Sequence, residues 1–167
     1  VCLLKVLCKE WGIEPRLAPR VQPLAETLLR YEGLLLIGDE ALQILRAGVY
    51  PYHVDLGQAW RDVTGLPMVF AVCVVRRAFL EAHPRAVAEM QAALIASRDR
   101  CAAQPGQTAA AGALIYDFSQ AYLLEYFEKL KYGFTSEQRR GLAEFYRRAA
   151  EVGELQTAPP EVLTPSG

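Results

Sequence analysis

The chain has 167 residues, 52% of them hydrophobic, and a formal net charge of -1. That length suits one domain with a real core or two small lobes, and the composition is that of an ordinary globular protein. A near-neutral chain gives no electrostatic case for nucleic acid or a membrane surface, and no apolar run approaches the roughly 18 residues that span a bilayer.

From Val1 to Trp11, apolar residues recur at helical spacing with no N-cap before them, so the chain reads as the downstream part of a longer protein. This helix ends near Gly12, and Glu14 to Ala18 is a weak strand candidate with Pro15 at its edge. Gln22 to Tyr31 is helical, with Leu24, Leu28 and Leu29 on one face and Pro23 near its first turn. The apolar strand Leu34–Ile37 then stops abruptly at Gly38-Asp39-Glu40. Asp39 can cap a helix over Glu40–Ala47 whose Leu42 and Leu45 face inward. An aromatic turn, Val49-Tyr50-Pro51-Tyr52, leads into a short strand-like segment, Tyr52 to Leu56. Gly57 to Val63 is a short helix carrying Trp60 as a core residue. Gly65-Leu66-Pro67 introduces Met68–Val75, the clearest strand of the sequence.

After Arg76-Arg77 the pattern is helical. Phe79 to Ala102 forms helix with a restart at His83-Pro84, and Gln104 to Gln107 is a loop. A helix follows from Ala109 to Leu130, with Gly133 ending it and Tyr116, Tyr122 and Tyr126 packing against neighbours. Thr135-Ser136-Glu137-Gln138 is a capping box opening a helix with Leu142, Phe145, Tyr146 and Ala149 on one face. Arg139-Arg140 and Arg147-Arg148 read as solvated, and the tail after Gly153 is Pro-rich.

Short apolar strands that each give way to a helix predict a doubly wound α/β lobe over about residues 1–75, followed by a helical half over about 76–153. In such lobes ligands sit beyond the carboxyl ends of the strands, which directs attention to Gly38 and Asp39. Backbone N–H groups at a helix start there would favour an anionic ligand such as a carboxylate, and Gly38 would let it approach. The competing reading is that Asp39 merely caps its helix. Asp55-Leu56-Gly57 and Thr64-Gly65-Leu66-Pro67 would frame the same cleft, or else serve only as turns beside the Trp60 core.

Cys2, Cys8, Cys73 and Cys101 form no CxxC pair, and three fall in segments that read as buried, as free thiols in a reducing cytoplasm do. His53 and His83 are far apart, so nothing points to structural zinc. No Ser-His-Asp set, P-loop or GxGxxG motif is present.

Leu36-Ile37-Gly38-Asp39-Glu40-Ala41-Leu42, Asp55-Leu56-Gly57-Gln58-Ala59-Trp60 and Thr64-Gly65-Leu66-Pro67-Met68-Val69-Phe70-Ala71 together resemble the chorismate dehydratase family of the futalosine route to menaquinone. Tyr126-Phe127-Glu128 through Leu142-Ala143-Glu144-Phe145-Tyr146 resembles that family's C-terminal helices. The sister enzyme, 1,4-dihydroxy-6-naphthoate synthase, is similar around Asp55-Leu56-Gly57. It would carry a Leu-Pro-Leu-Gly-type stretch where this chain has Pro67-Met68-Val69-Phe70, which favours the dehydratase. Cys73 departs from the family, where Trp is expected. So does the absence of a first-lobe segment with an Asn-bearing strand turn and a Ser-Arg-Thr-Ser-type loop.

The resemblance implies an α/β, type II periplasmic-binding-protein-like fold. Residues 1–66 would belong to a second lobe truncated at its start, and 67–75 to a crossover strand. Residues 76–153 would be a helical part packing on a first lobe, and 154–167 a tail. The implied activity is dehydration of chorismate to 3-[(1-carboxyvinyl)oxy]benzoate without metal or other cofactor, with this fragment inactive by itself. The implied partner is a small-molecule dicarboxylate in the cytoplasm, with no nucleic acid and no membrane. Ile37, Gly38, Asp39, Glu40 and Pro67 would bind it, and no catalytic residue is assigned. Asp39 and Glu40 are the weak candidates for the general base. The other reading is a non-catalytic solute-binding protein of the same fold.

Overall fold

Asp55 shows how local sequence builds this chain: its carboxylate accepts hydrogen bonds from the backbone N–H groups of Gly57 (2.8 Å) and Gln58 (3.0 Å). That satisfies donors a helix start would otherwise leave orphaned. The helix it opens ends at Gly65, whose φ of 71° is the left-handed conformation that glycine adopts without a Cβ penalty.

The computed structural model describes residues 1–20, 23–48 and 50–155. Nine helices occur among them: α1 (Cys2–Glu10), α2 (Leu24–Leu28), α3 (Gly38–Ala47), α4 (Leu56–Thr64), α5 (Arg77–Ala82), α6 (Pro84–Ala103), α7 (Pro105–Ala113), α8 (Gln120–Lys129) and α9 (Ser136–Glu151). The chain divides into two compact units. One takes in Val1–Phe70 and the described part of Thr135–Gly167, the other Ala71–Phe134.

In the first unit α1 packs against α4 and α9. Val6, Leu7 and Cys8 from α1, Ala59 and Trp60 from α4, and Leu142 and Ala149 from α9 are the buried residues of these helices' apolar faces. Trp60 is fully buried and meets Phe145 edge-on, with ring centroids 5.9 Å apart. The capping box at Thr135 forms as its spacing predicts. The hydroxyl accepts from Gln138 N–H (3.3 Å), and the Gln138 side chain accepts from Thr135 N–H (2.7 Å).

In the second unit consecutive helices are neighbours, with α7 against α8 the most extensive pair. Ala109, Gly112, Phe118 and Leu123 are buried there, and a methyl group on Gly112 would lie 3.0 Å from Leu123 Cδ1. Phe118, Tyr122 and Tyr126 stack in sequence, with centroids 5.1 and 6.5 Å apart. Tyr116, expected to pack with them, is exposed.

Several expectations are corrected by the structure. Among the described residues no segment is paired into a sheet, so the strands read at Glu14–Ala18, Leu34–Ile37, Tyr52–Leu56 and Met68–Val75 are irregular chain, and Leu56 already belongs to α4. A strand is stabilised by a partner's ladder bonds, and these stretches have none; Ile37 and Val74 are 82% and 86% exposed. The mostly helical architecture is therefore what the described residues display. Ile37, not Asp39, stands at the start of α3, and no side chain caps it. Gly38 has φ of 66°, so the chain enters α3 through a glycine conformation and Asp39 falls inside the first turn.

Leu29 and Leu45 are exposed, because neither α2 nor α3 packs on another helix among the described residues. The start read at Gln22 lies outside those residues, as does Val49 of the aromatic turn. Pro105 opens α7, where its missing N–H costs nothing, so the expected loop shrinks to Gln104. The helix read over Ala109–Leu130 breaks between α7 and α8, where the Ser119 hydroxyl accepts from Tyr122 N–H (3.3 Å) and starts a new helix; Leu130, ahead of Gly133, ends it. Cys73 and Cys101 are exposed, while Cys8 is buried.

Candidate functional site

Ile37 to Glu40 form a contiguous corner. Ile37 is extended (φ -139°, ψ 163°) with an exposed side chain, Gly38 turns through positive φ, and Asp39 and Glu40 bring negative charge into the first turn of α3. The first turn of α3 carries N–H groups with no side-chain cap, so a positive dipole end faces outward beside a glycine. The Glu40 carboxylate is already engaged by Arg20 at 2.8 Å. The same hydrogen bond raises the Arg20 pKa. The net result is a corner that offers backbone donors, with Arg20 and Glu40 neutralising each other and Asp39 leaving it one negative charge.

Pro67 is held by other neighbours. Thr64 Oγ1 donates to the Trp60 carbonyl (2.8 Å) and accepts from Leu66 N–H (3.1 Å), tying the chain after α4 to that helix's last turn. The Pro67 carbonyl then lies directly against Gly141 of α9, so closely that a Cβ built on Gly141 would overlap that oxygen. Sequence reasoning missed Gly141. The signal that could have found it was a glycine within an otherwise regular helical pattern, which costs about 1 kcal/mol relative to alanine and calls for a packing reason.

A separate open groove of about 590 Å³ runs between α1, the Gly12–Leu17 loop and the end of α9. Its lysines are spoken for, with Lys5 paired to Glu154 at 2.5 Å and Lys9 to Glu151 at 3.2 Å. Cys8 lines it, but burial pushes that thiol's pKa up, away from a reactive thiolate. None of the residues predicted to bind substrate borders this groove. Among the described residues no cluster of three or more His, Cys, Asp or Glu side chains is arranged to hold a metal ion. No helix among them is long and apolar enough to cross a membrane.

Residues 1–151 match a protein family described as menaquinone biosynthesis. The chain belongs to that family, and the resemblance read from its Gly38, Asp55 and Pro67 segments holds at this level. A curated relative, the chorismate dehydratase of Thermus thermophilus, is 39% identical over 92 residues, covering 46% of this chain and 34% of that protein. The match thus spans about a third of that relative's length.

Proposed function

We propose that this chain is part of a chorismate dehydratase, a hydro-lyase that converts chorismate to 3-[(1-carboxyvinyl)oxy]benzoate. The observation that carries the reading is the family match over residues 1–151, joined by the partial identity to a protein named chorismate dehydratase. The Gly38 corner is consistent with it: uncapped backbone donors at the start of α3 suit a carboxylate.

In the proposed reaction the ring loses one proton and its hydroxyl as water. The electron pair of the broken C–H bond becomes the new ring double bond, and aromatisation drives the step. The protein's task is to hold two carboxylates and orient the departing groups. Ile37, Gly38, Asp39, Glu40 and Pro67 are proposed to line the substrate. The fold proposed for the whole protein is α/β and binding-protein-like, with residues 67–75 as a crossover, residues 76–153 packing on a further lobe except for α9, which packs on α1 and α4, and a cytoplasmic location.

On this reading residues 1–167 alone do not turn over chorismate, because one cleft wall cannot orient and desolvate the substrate. The test compares the full-length protein with the 167-residue chain, following chorismate consumption by chromatography. Turnover by the full-length protein only is expected. Turnover by the short chain contradicts the one-wall reading, and turnover by neither, with both folded, contradicts the dehydratase.

A further inference from the structure

We infer that Gly141 and Gly57 are positioning residues that seat the segment Leu66–Phe70 and thereby place Pro67 for ligand; the ligand part of this inference rests on the proposed reading of Pro67. The segment is gripped at three points by two helices. At its start the Leu66 N–H is held by the Thr64 hydroxyl at 3.1 Å. At its second residue the Pro67 carbonyl faces the bare Cα of Gly141 on α9. At its end the ring of Phe70, otherwise 72% exposed, rests its tip on Gly57 in the first turn of α4, where an added methyl would come within 2.9 Å of Cζ.

The two glycines differ in what a side chain would meet. At Gly141 the obstacle is backbone, and the methyl overlaps the carbonyl oxygen, with Leu66 Cβ also at 3.7 Å. Gly141 is buried beside Leu142 on a helix that packs on α1, so tilting α9 would disturb that packing. The strain is therefore expected to move Leu66–Pro67 rather than the helix. At Gly57 the obstacles are the edge of an exposed ring that can swing aside and, at 3.2 Å, the Asp55 Oδ1 that caps α4. Neither glycine needs positive φ, so its bare Cα serves close approach and not backbone freedom. The hydrogen that replaces the Cβ at Gly141 points at the carbonyl oxygen, the arrangement of a weak Cα–H···O contact.

The test uses Gly141→Ala and Gly57→Ala in the full-length protein, with two readouts. Hydrogen exchange of the Leu66 amide, which the Thr64 hydroxyl holds, reports the seat. Steady-state kinetics with chorismate, well below each variant's melting temperature, report the ligand. Gly141→Ala is expected to speed exchange at this amide selectively and to raise KM by about tenfold or more, a consequence of displacing a lining residue. Gly57→Ala is expected to act in the same direction but more weakly, and it keeps the test open should Gly141→Ala not fold. Faster exchange spread evenly over α1, α4 and α9 with unchanged KM overturns the inference, because it marks a packing role only. Unaltered exchange in the variants that fold overturns it outright. If the wild-type protein leaves chorismate untouched, the proposed reaction fails and the ligand part of the inference falls with it. Selective exchange would then still establish the seat.

Discussion

The guanidinium of Arg148 lies 5.7 Å from the centre of the Trp60 ring, stacking a charge on a side chain that is itself fully buried. Arg148 also donates through Nε to Glu144 (2.7 Å) and pairs through Nη1 with Glu10 on α1 (2.7 Å), so one side chain joins α1, α4 and α9. Replacing it with Met keeps an apolar stem but removes the ring contact and both ion pairs. The expected loss is about 2 kcal/mol of unfolding free energy by urea titration, most of it from the desolvated cation–π contact and the carboxylates left behind. A loss below about 0.5 kcal/mol would place this residue among ordinary surface arginines.

Glu144 carries the acid sensitivity of the same cluster. Hydrogen bonds from Arg147, then Arg148, hold its carboxyl at about 2, down from 4.5. Because the folded-state pKa is depressed, the unfolded chain binds the proton more readily. The stabilisation is therefore present above about pH 4.5 and is lost as pH falls towards 2. Glu144→Gln is expected to cost on the order of 1 kcal/mol at neutral pH after solvent screening, with the gap from wild type closing as acid is added. A gap that stays constant from pH 7 to about pH 2 would show that shape and not charge is responsible. Glu151, drawn down chiefly by Lys9 and also by Arg147, shifts in the same direction.

Asp39 and Asp55 look alike in sequence, each following a short apolar stretch and preceding a helix, but only Asp55 caps. Asp55→Ala should cost about 1 kcal/mol, the loss of an N-cap. Asp39→Ala should cost no more than about 0.5 kcal/mol, because among the described residues it caps no helix and its charge acts on the α3 dipole. Thermal melts of the two variants side by side decide this, and equal losses would show that Asp39 caps after all.

What was legible in the sequence follows the range of the interactions involved. The capping box at Thr135, the Asp55 cap, the restart at His83-Pro84 and the Trp60 core all depend on residues within a few positions or on one helix face, and each is found. The strands at Leu34–Ile37 and Met68–Val75 depend on partners elsewhere, and the described residues contain no sheet to supply them. Arg148 read as solvated because periodicity cannot say that a second helix brings Trp60 beneath it. At the candidate site, the glycine entry at Gly38 was visible as a break after an apolar run. The engagement of Glu40 by Arg20 and of Pro67 by Gly141 was not, since both join residues distant along the chain.

The central claim is that the full-length protein dehydrates chorismate, and proton NMR of that reaction tests it most directly. The account predicts loss of the ring-alkene signals and appearance of a meta-substituted benzoate pattern, with the enolpyruvyl methylene protons retained. A folded protein that leaves the chorismate spectrum unchanged, or that gives a product lacking the enolpyruvyl protons, would contradict it.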